Sequence, residues 1–118
     1  MYSVLRFAGH ADKLEELGQA VNSLVPGLYN GPDRRGGRFS CAISEGDTWE
    51  QHSDAIQRVL EQLTPAIKAG LSVGFIIQID VAIEPEDYNE RWITELSLSS
   101  DMVRVLGEHR IRLNISIY

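Results

Sequence analysis

The segment NGPDRRGGRF, residues 30–39, gathers Arg34, Arg35 and Arg38 among glycines and a proline. Guanidinium groups match the oxygens of phosphates and carboxylates in a paired fork, so such a loop could grip an anion. The phosphate-binding loops of known mechanism run from a glycine-rich turn into a helix, either through Gly-Lys-Ser/Thr or through spaced glycines after a strand. This segment runs instead into RFSCAIS, where Phe39, Cys41 and Ile43 alternate with polar or small residues as in a strand. Clustered glycine and proline also punctuate plain connections. The segment is therefore expected to be a solvated connection, with anion binding by Arg34, Arg35 and Arg38 left open.

The other residues able to do chemistry are scattered. His10, His52 and His109 lie far from the three- or four-residue spacing of a helical zinc motif. An acid–base pair of histidines would need them to converge in space, and they are expected on the surface. Cys41 shares a phase with Phe39 and Ile43, which suits a small apolar group in the core better than a nucleophile. No Gly-x-Ser-x-Gly elbow is present. Trp49 and Trp92 fall on the apolar phase of their segments and read as core anchors. A glycosidase pair of carboxylates would need a separation that only a fold can set. The expectation is no metal, no cofactor and no catalytic residue.

Charge points outward, toward partners. The 118 residues carry a net charge of -6, and the acids cluster in EGDTWE and EPEDYNE. A nucleic-acid binder concentrates positive charge to displace phosphate counterions, so nucleic acid is not an expected partner. Acidic surface attracts basic partners instead. The longest apolar run, VGFIIQIDVAI, is broken by Gln78 and Asp80 and is too short to span a bilayer as a helix. With a single cysteine and no recognisable secretory leader, a soluble cytoplasmic protein is expected.

Periodicity predicts the elements that would position these groups. YSVLRFA reads as a strand. HADKLEELGQAVNSLV reads as a helix, with Leu14, Leu17, Val21 and Leu24 at helical spacing and an Asp12–Glu15 capping box. After the RFSCAIS strand, Asp47 or Thr48 caps a long helix striped by Trp49, Ile56, Val59, Leu60, Leu63 and Ile67, with a kink or a second short helix at Pro65. Leu71 to Ile83 alternates as one long strand. PEDYN turns, RWITELSLS returns as its hairpin partner, and Ser99 or Ser100 caps a short helix carrying Met102, Val103 and Leu106. IRLNISIY closes as a strand. Each strand has one apolar and one mixed face, which predicts helices on one side only. The expected fold is a single α+β domain over residues 1–118. It is a two-layer sandwich of order βαβαββαβ, with a five-stranded, largely antiparallel sheet and three helices on one face.

The ending LSLSSDMVRVLGEHRIRLNISIY resembles the end of a bacterial family catalogued as domain of unknown function 4279. The likeness extends to the basic glycine loop with Gly36 and Gly37, the acidic turn with Asp47 and Trp49, and the segment from Leu63 to Ile67. The resemblance implies a small cytoplasmic protein of a kind that includes immunity proteins paired with toxins, and it brings no catalytic residue. The resulting expectation is a binding protein that neutralises a basic toxin, such as a nuclease. Its partner-binding residues would be Asp80, Glu84, Glu86, Asp87, Glu90, Glu95 and Tyr118, on the acidic turn and the mixed face of the sheet. The alternatives are an enzyme that assembles His10 or His109 with Arg34 and Arg35 in one pocket, and a module that forms a homodimer through a sheet edge or face.

Overall fold

Alternation and helical spacing resolve into nine elements in the computed structural model, which describes residues 1–34, 36–46, 48–89 and 96–118. They are β1 (Tyr2–Ala8), α1 (Ala11–Leu24), β2 (Arg38–Glu45), α2 (Trp49–Gln62), α3 (Thr64–Ser72), β3 (Ile76–Ile83), α4 (Pro85–Asn89), α5 (Ser100–Glu108) and β4 (Arg112–Ile117). The strands form one four-stranded sheet of order β2-β1-β3-β4. β1 pairs antiparallel with both β2 and β3, whereas β3 and β4 run parallel.

The fold class is α+β as expected, but three details differ. The sheet is mixed, and among the described residues it has four strands. The expected hairpin partner of β3 is the segment 91–99. Leu96–Ser99 forms no strand, and Arg91–Glu95, with Trp92, lie outside the described residues. The physical reason is strand pairing: β3 is bonded by β1 along one edge and by β4 along the other, so no hairpin can close on it there. Among the described residues five helices replace three. The break at Pro65 makes α2 and α3 separate helices, and PEDYN forms the short α4 rather than a bare turn. Finally, the long alternating strand begins only at Ile76. Leu71 and Ser72 end α3, and Gly74, at φ 85°, turns the chain into β3.

The apolar phase of the strands faces the helices. Leu5, Phe7, Phe39, Cys41, Ile77, Ile79 and Val81 are buried there beneath Ile56, Leu60, Leu63, Ile67 and Met102. Each such side chain contributes about 1.5–3 kcal/mol when fully buried. On α5 the expected stripe shifts: Met102, Val105 and Leu106 are buried, while Val103 faces solvent. Thr48 and Ser99 cap α2 and α5, each accepting the N–H three residues on; Asp47 lies outside the described residues. Asp12 does not cap α1, whose N-cap is His10 without a side-chain bond.

Polar side chains inside the core are satisfied in pairs. His52 is fully buried, which corrects the expectation of a surface position. Its Nδ1 lies 2.8 Å from the hydroxyl of Ser3, also buried, and its Nε2 lies 3.3 Å from the carbonyl of Gly46. A carbonyl only accepts, so Nε2 carries the proton and the serine hydroxyl donates to Nδ1. The pair ties β1 to α2. Tyr29 is the second such post. Its ring meets Phe39 edge-on at 4.8 Å, and Phe39 stacks on Phe7 at 4.7 Å. Its hydroxyl donates to Glu15 at 2.7 Å, and Asn22 clamps its backbone from both sides.

Two outcomes follow from this packing. A Cβ at Gly18 of α1 would come within 2.4 Å of the Tyr29 ring. Helix propensity favours alanine by about 1 kcal/mol, but overpacking against a ring held on three sides costs about 1–3 kcal/mol. Gly18→Ala is therefore expected to lower the urea midpoint; a raised midpoint would contradict the packing. Burial pushes the Cys41 thiol from 9.0 up to about 12, with Asp33 adding to it. Burial, then the Glu15 bond, pushes the Tyr29 phenol from 10.0 up to about 12. Both groups stay protonated in the fold at pH values where the unfolded chain releases the proton. Stability is accordingly full below about pH 9 and falls as pH rises toward about 12. Urea midpoints measured from neutral to alkaline pH should show that decline, and Tyr29→Phe should remove the part that begins near the tyrosine value.

Candidate functional site

The polar phase of the strands makes a second face that no helix among the described residues buries. Its composition follows from register. Ser40, Arg6, Gln78 and Arg112 form one row across the sheet, and Ala42, Val4, Asp80 and Asn114 form the next. Tyr2, Ala82 and Ser116 form a third. Asp80 is the hub. Arg6 pairs with its carboxylate from the neighbouring row, Asn114 donates to Oδ1 at 3.1 Å, and Gln78 donates at 3.2 Å. The carboxylate is half-buried, so this network fixes the middle of the face in one arrangement.

One end of the face differs in character. Tyr2 and Tyr118 stand 38% and 63% exposed on either side of the small residues Ala82 and Ser116. The N–H of Tyr118 donates to the carbonyl of Ile83 at 3.0 Å, which places it beside Glu84 and the start of α4. Glu84 is half-buried and Glu86 is exposed. Aromatic side chains with small neighbours and an acidic rim have the composition of a protein-binding surface.

The expected partner-binding residues divide accordingly. Asp80, Glu84 and Tyr118 lie along one strip of this face and its end, and Glu86 is exposed on the adjoining α4. Glu90 and Glu95 lie outside the described residues. Asp87 is different. It is fully buried, accepts the Glu84 N–H at 2.8 Å, and pairs with the α-ammonium of Met1 at 2.6 Å. It holds the α4 turn against the start of β1 and offers nothing to an outside partner. Sequence reasoning could not separate it from its neighbours, because Glu84, Glu86 and Asp87 share one acidic run. Conversely, Tyr2 and Arg6 were missed, although the alternation that buries Leu5 and Phe7 puts both on the opposite face.

The remaining chemistry-bearing groups do not assemble. In the 30–39 loop, Asp33 takes Arg38 into an ion pair at 3.0 Å and donates its own N–H to the Arg38 carbonyl. Gly36 and Gly37, at φ 69° and 71°, make the turn that this closure requires. Arg34 is exposed, and Arg35 lies outside the described residues. His10 is exposed at the start of α1. His109 sits elsewhere, with Nε2 2.9 Å from the Thr64 hydroxyl and Nδ1 2.8 Å from the Val105 carbonyl. Beside it is a surface cavity of about 500 Å³ lined by Glu61, Thr64, Ile67, Lys68, Leu71, Glu108 and His109, without His10 or Arg34. The Thr64 hydroxyl is also bonded to the Leu60 and Glu61 carbonyls, so it closes the last turn of α2. Among the described residues no group of three or more His, Cys, Asp or Glu is placed to hold a metal ion. No helix there is long and apolar enough to cross a membrane.

The contrast between Asp87 and Glu86 is measurable. Asp87→Ala leaves a buried ammonium unpaired and should cost about 3–5 kcal/mol in chemical denaturation. Glu86→Ala, on exposed surface, should stay within about 0.5 kcal/mol of the parent. Compared with protein-family models, with curated proteins and with solved structures, the chain matches none.

Proposed function

We propose that this is a protein-binding module that docks the tyrosine-bearing, acidic end of its open sheet face onto a basic partner. The finer reading is an immunity protein that neutralises a cognate toxin, such as a basic nuclease, in the bacterial cytoplasm. The observation that carries the proposal is the juxtaposition of exposed Tyr2 and Tyr118 with Glu84 on a face that no described helix buries, next to exposed Glu86 on α4. The net charge of -6 supports a basic partner, because complementary fields speed encounter and disfavour acidic competitors. The placement of the reactive side chains agrees too: Ser3, His52 and Cys41 are spent inside the core.

In such a complex the tyrosines supply rigid apolar area with a polar tip, and the acids set orientation and approach rate. Calorimetric and kinetic titration against the basic toxin encoded beside its gene tests this. The double variant Glu84→Lys with Glu86→Lys is expected to slow association by about tenfold or more at low salt, with the difference shrinking as salt rises. Tyr118→Ala is expected to speed dissociation by about tenfold or more. No binding, or binding indifferent to all three changes, would refute the proposal.

A further inference from the structure

We propose that the outer edge of β4 pairs antiparallel with the same edge of a second copy of this chain. This goes beyond the partner-binding reading: it rests on the main-chain edge of β4 and shares only Tyr118 with that surface. β4 ends the strand order, and Tyr118 donates its N–H inward to Ile83. Successive residues of a strand turn their backbone groups to opposite edges. The N–H and C=O groups of Leu113, Ile115 and Ile117 therefore face away from β3, where no described strand meets them.

The two sheet edges are built differently. At β2 the 30–39 loop folds back, Asp33 donating to the Arg38 carbonyl, and the register shifts between Ser3 and Val4. Folded-back loops and bulges are devices that stop an edge from pairing. β4, RLNISI, has neither: its register with β3 is unbroken, and it contains no proline, lysine or acid. Its apolar side chains are also the ones the helices leave uncovered. Ile115 and Ile117 point to the helix side of the sheet yet stand 43% and 72% exposed.

A two-fold axis through Ile115 makes this edge complementary to itself. Ile115 then lies opposite Ile115 of the second copy, and Leu113 lies opposite Ile117. On the other face Asn114 lies opposite Ser116, and Arg112 lies against the Tyr118 ring, a cation–π pairing. Every outward backbone group of Leu113, Ile115 and Ile117 gains a reciprocal bond, and no like charges meet, because Arg112 is the one charged residue of β4. Closed two-fold pairing of this kind is the commonest route to a soluble oligomer. It would join two sheets into one and leave the end carrying Tyr2, Glu84 and Glu86 accessible.

Sedimentation equilibrium of the full chain from about 1 μM to about 500 μM tests the pairing. A monomer–dimer equilibrium is expected. Ile115→Lys, which sets like charges opposite each other on the axis, should weaken it by at least about tenfold, with an unchanged circular dichroism spectrum. Ile115→Cys fixes the register. Residues of a hydrogen-bonded antiparallel pair have Cα atoms about 5.5 Å apart, within the range a disulfide spans. Oxidation should therefore give a covalent dimer, while Val103→Cys, exposed on α5, should not. Buried Cys41 does not compete. Glu84→Lys with Glu86→Lys should leave the dimer intact, which separates this interface from the toxin-binding one. A chain that stays monomeric throughout would overturn the proposal. So would a dimer indifferent to Ile115→Lys, or equal cross-linking at Val103→Cys.

Discussion

β3 is bonded on both sides, antiparallel to β1 and parallel to β4, and the rest of the molecule is arranged around that fact. A strand with both edges filled cannot close a hairpin, so the chain leaving Ile83 turns away through α4 and returns by α5 to lay β4 down from the far end. A parallel neighbour requires such a crossover. The crossover puts β4 at the margin of the sheet, and α5 at the margin of the helix layer beside α2. From this come both surfaces of functional interest: the face opposite the helices and the edge beyond β4.

The interior uses its reactive groups for cohesion. Ser3 and His52 bond the central strand to α2, and Tyr29 links α1 to the aromatic pair Phe7 and Phe39 through its ring and to Glu15 through its hydroxyl. Glu15 is held below its usual value by the Gln19 and Tyr29 hydrogen bonds, so it remains an acceptor as pH falls into the ordinary carboxylate range. Cys41 is sealed under the helices with its thiol protonated. A serine, a histidine and a cysteine that would suggest catalysis in isolation are thus accounted for by packing and hydrogen bonding.

The exterior offers two kinds of surface in different directions. The open face presents side chains fixed by the Asp80 network, whereas the β4 edge presents main-chain groups flanked by exposed isoleucines. Side-chain surfaces select a partner by shape and charge, and strand edges select by backbone geometry with few side-chain demands. One lies in the plane of the sheet and the other is perpendicular to it.

Period and phase alone sufficed for much of this: the α+β class, the apolar face of each strand, most of the α2 stripe, the break at Pro65 and the packing of Cys41, while the caps were narrowed to Asp47 or Thr48 and to Ser99 or Ser100. These are local consequences of side-chain direction in helix and strand, and neighbours in sequence decide them. The pairing of β3, the parallel β4 and the exposure of Ile115 and Ile117 were decided only in three dimensions, because strand partners are chosen by residues far apart in the chain. The same holds for the acids. Glu86 and Asp87 are adjacent and chemically alike, yet one faces solvent and the other is buried against the Met1 ammonium. Which carboxylate supports the fold and which faces solvent depends on what lies opposite it, and only the folded chain supplies that neighbour.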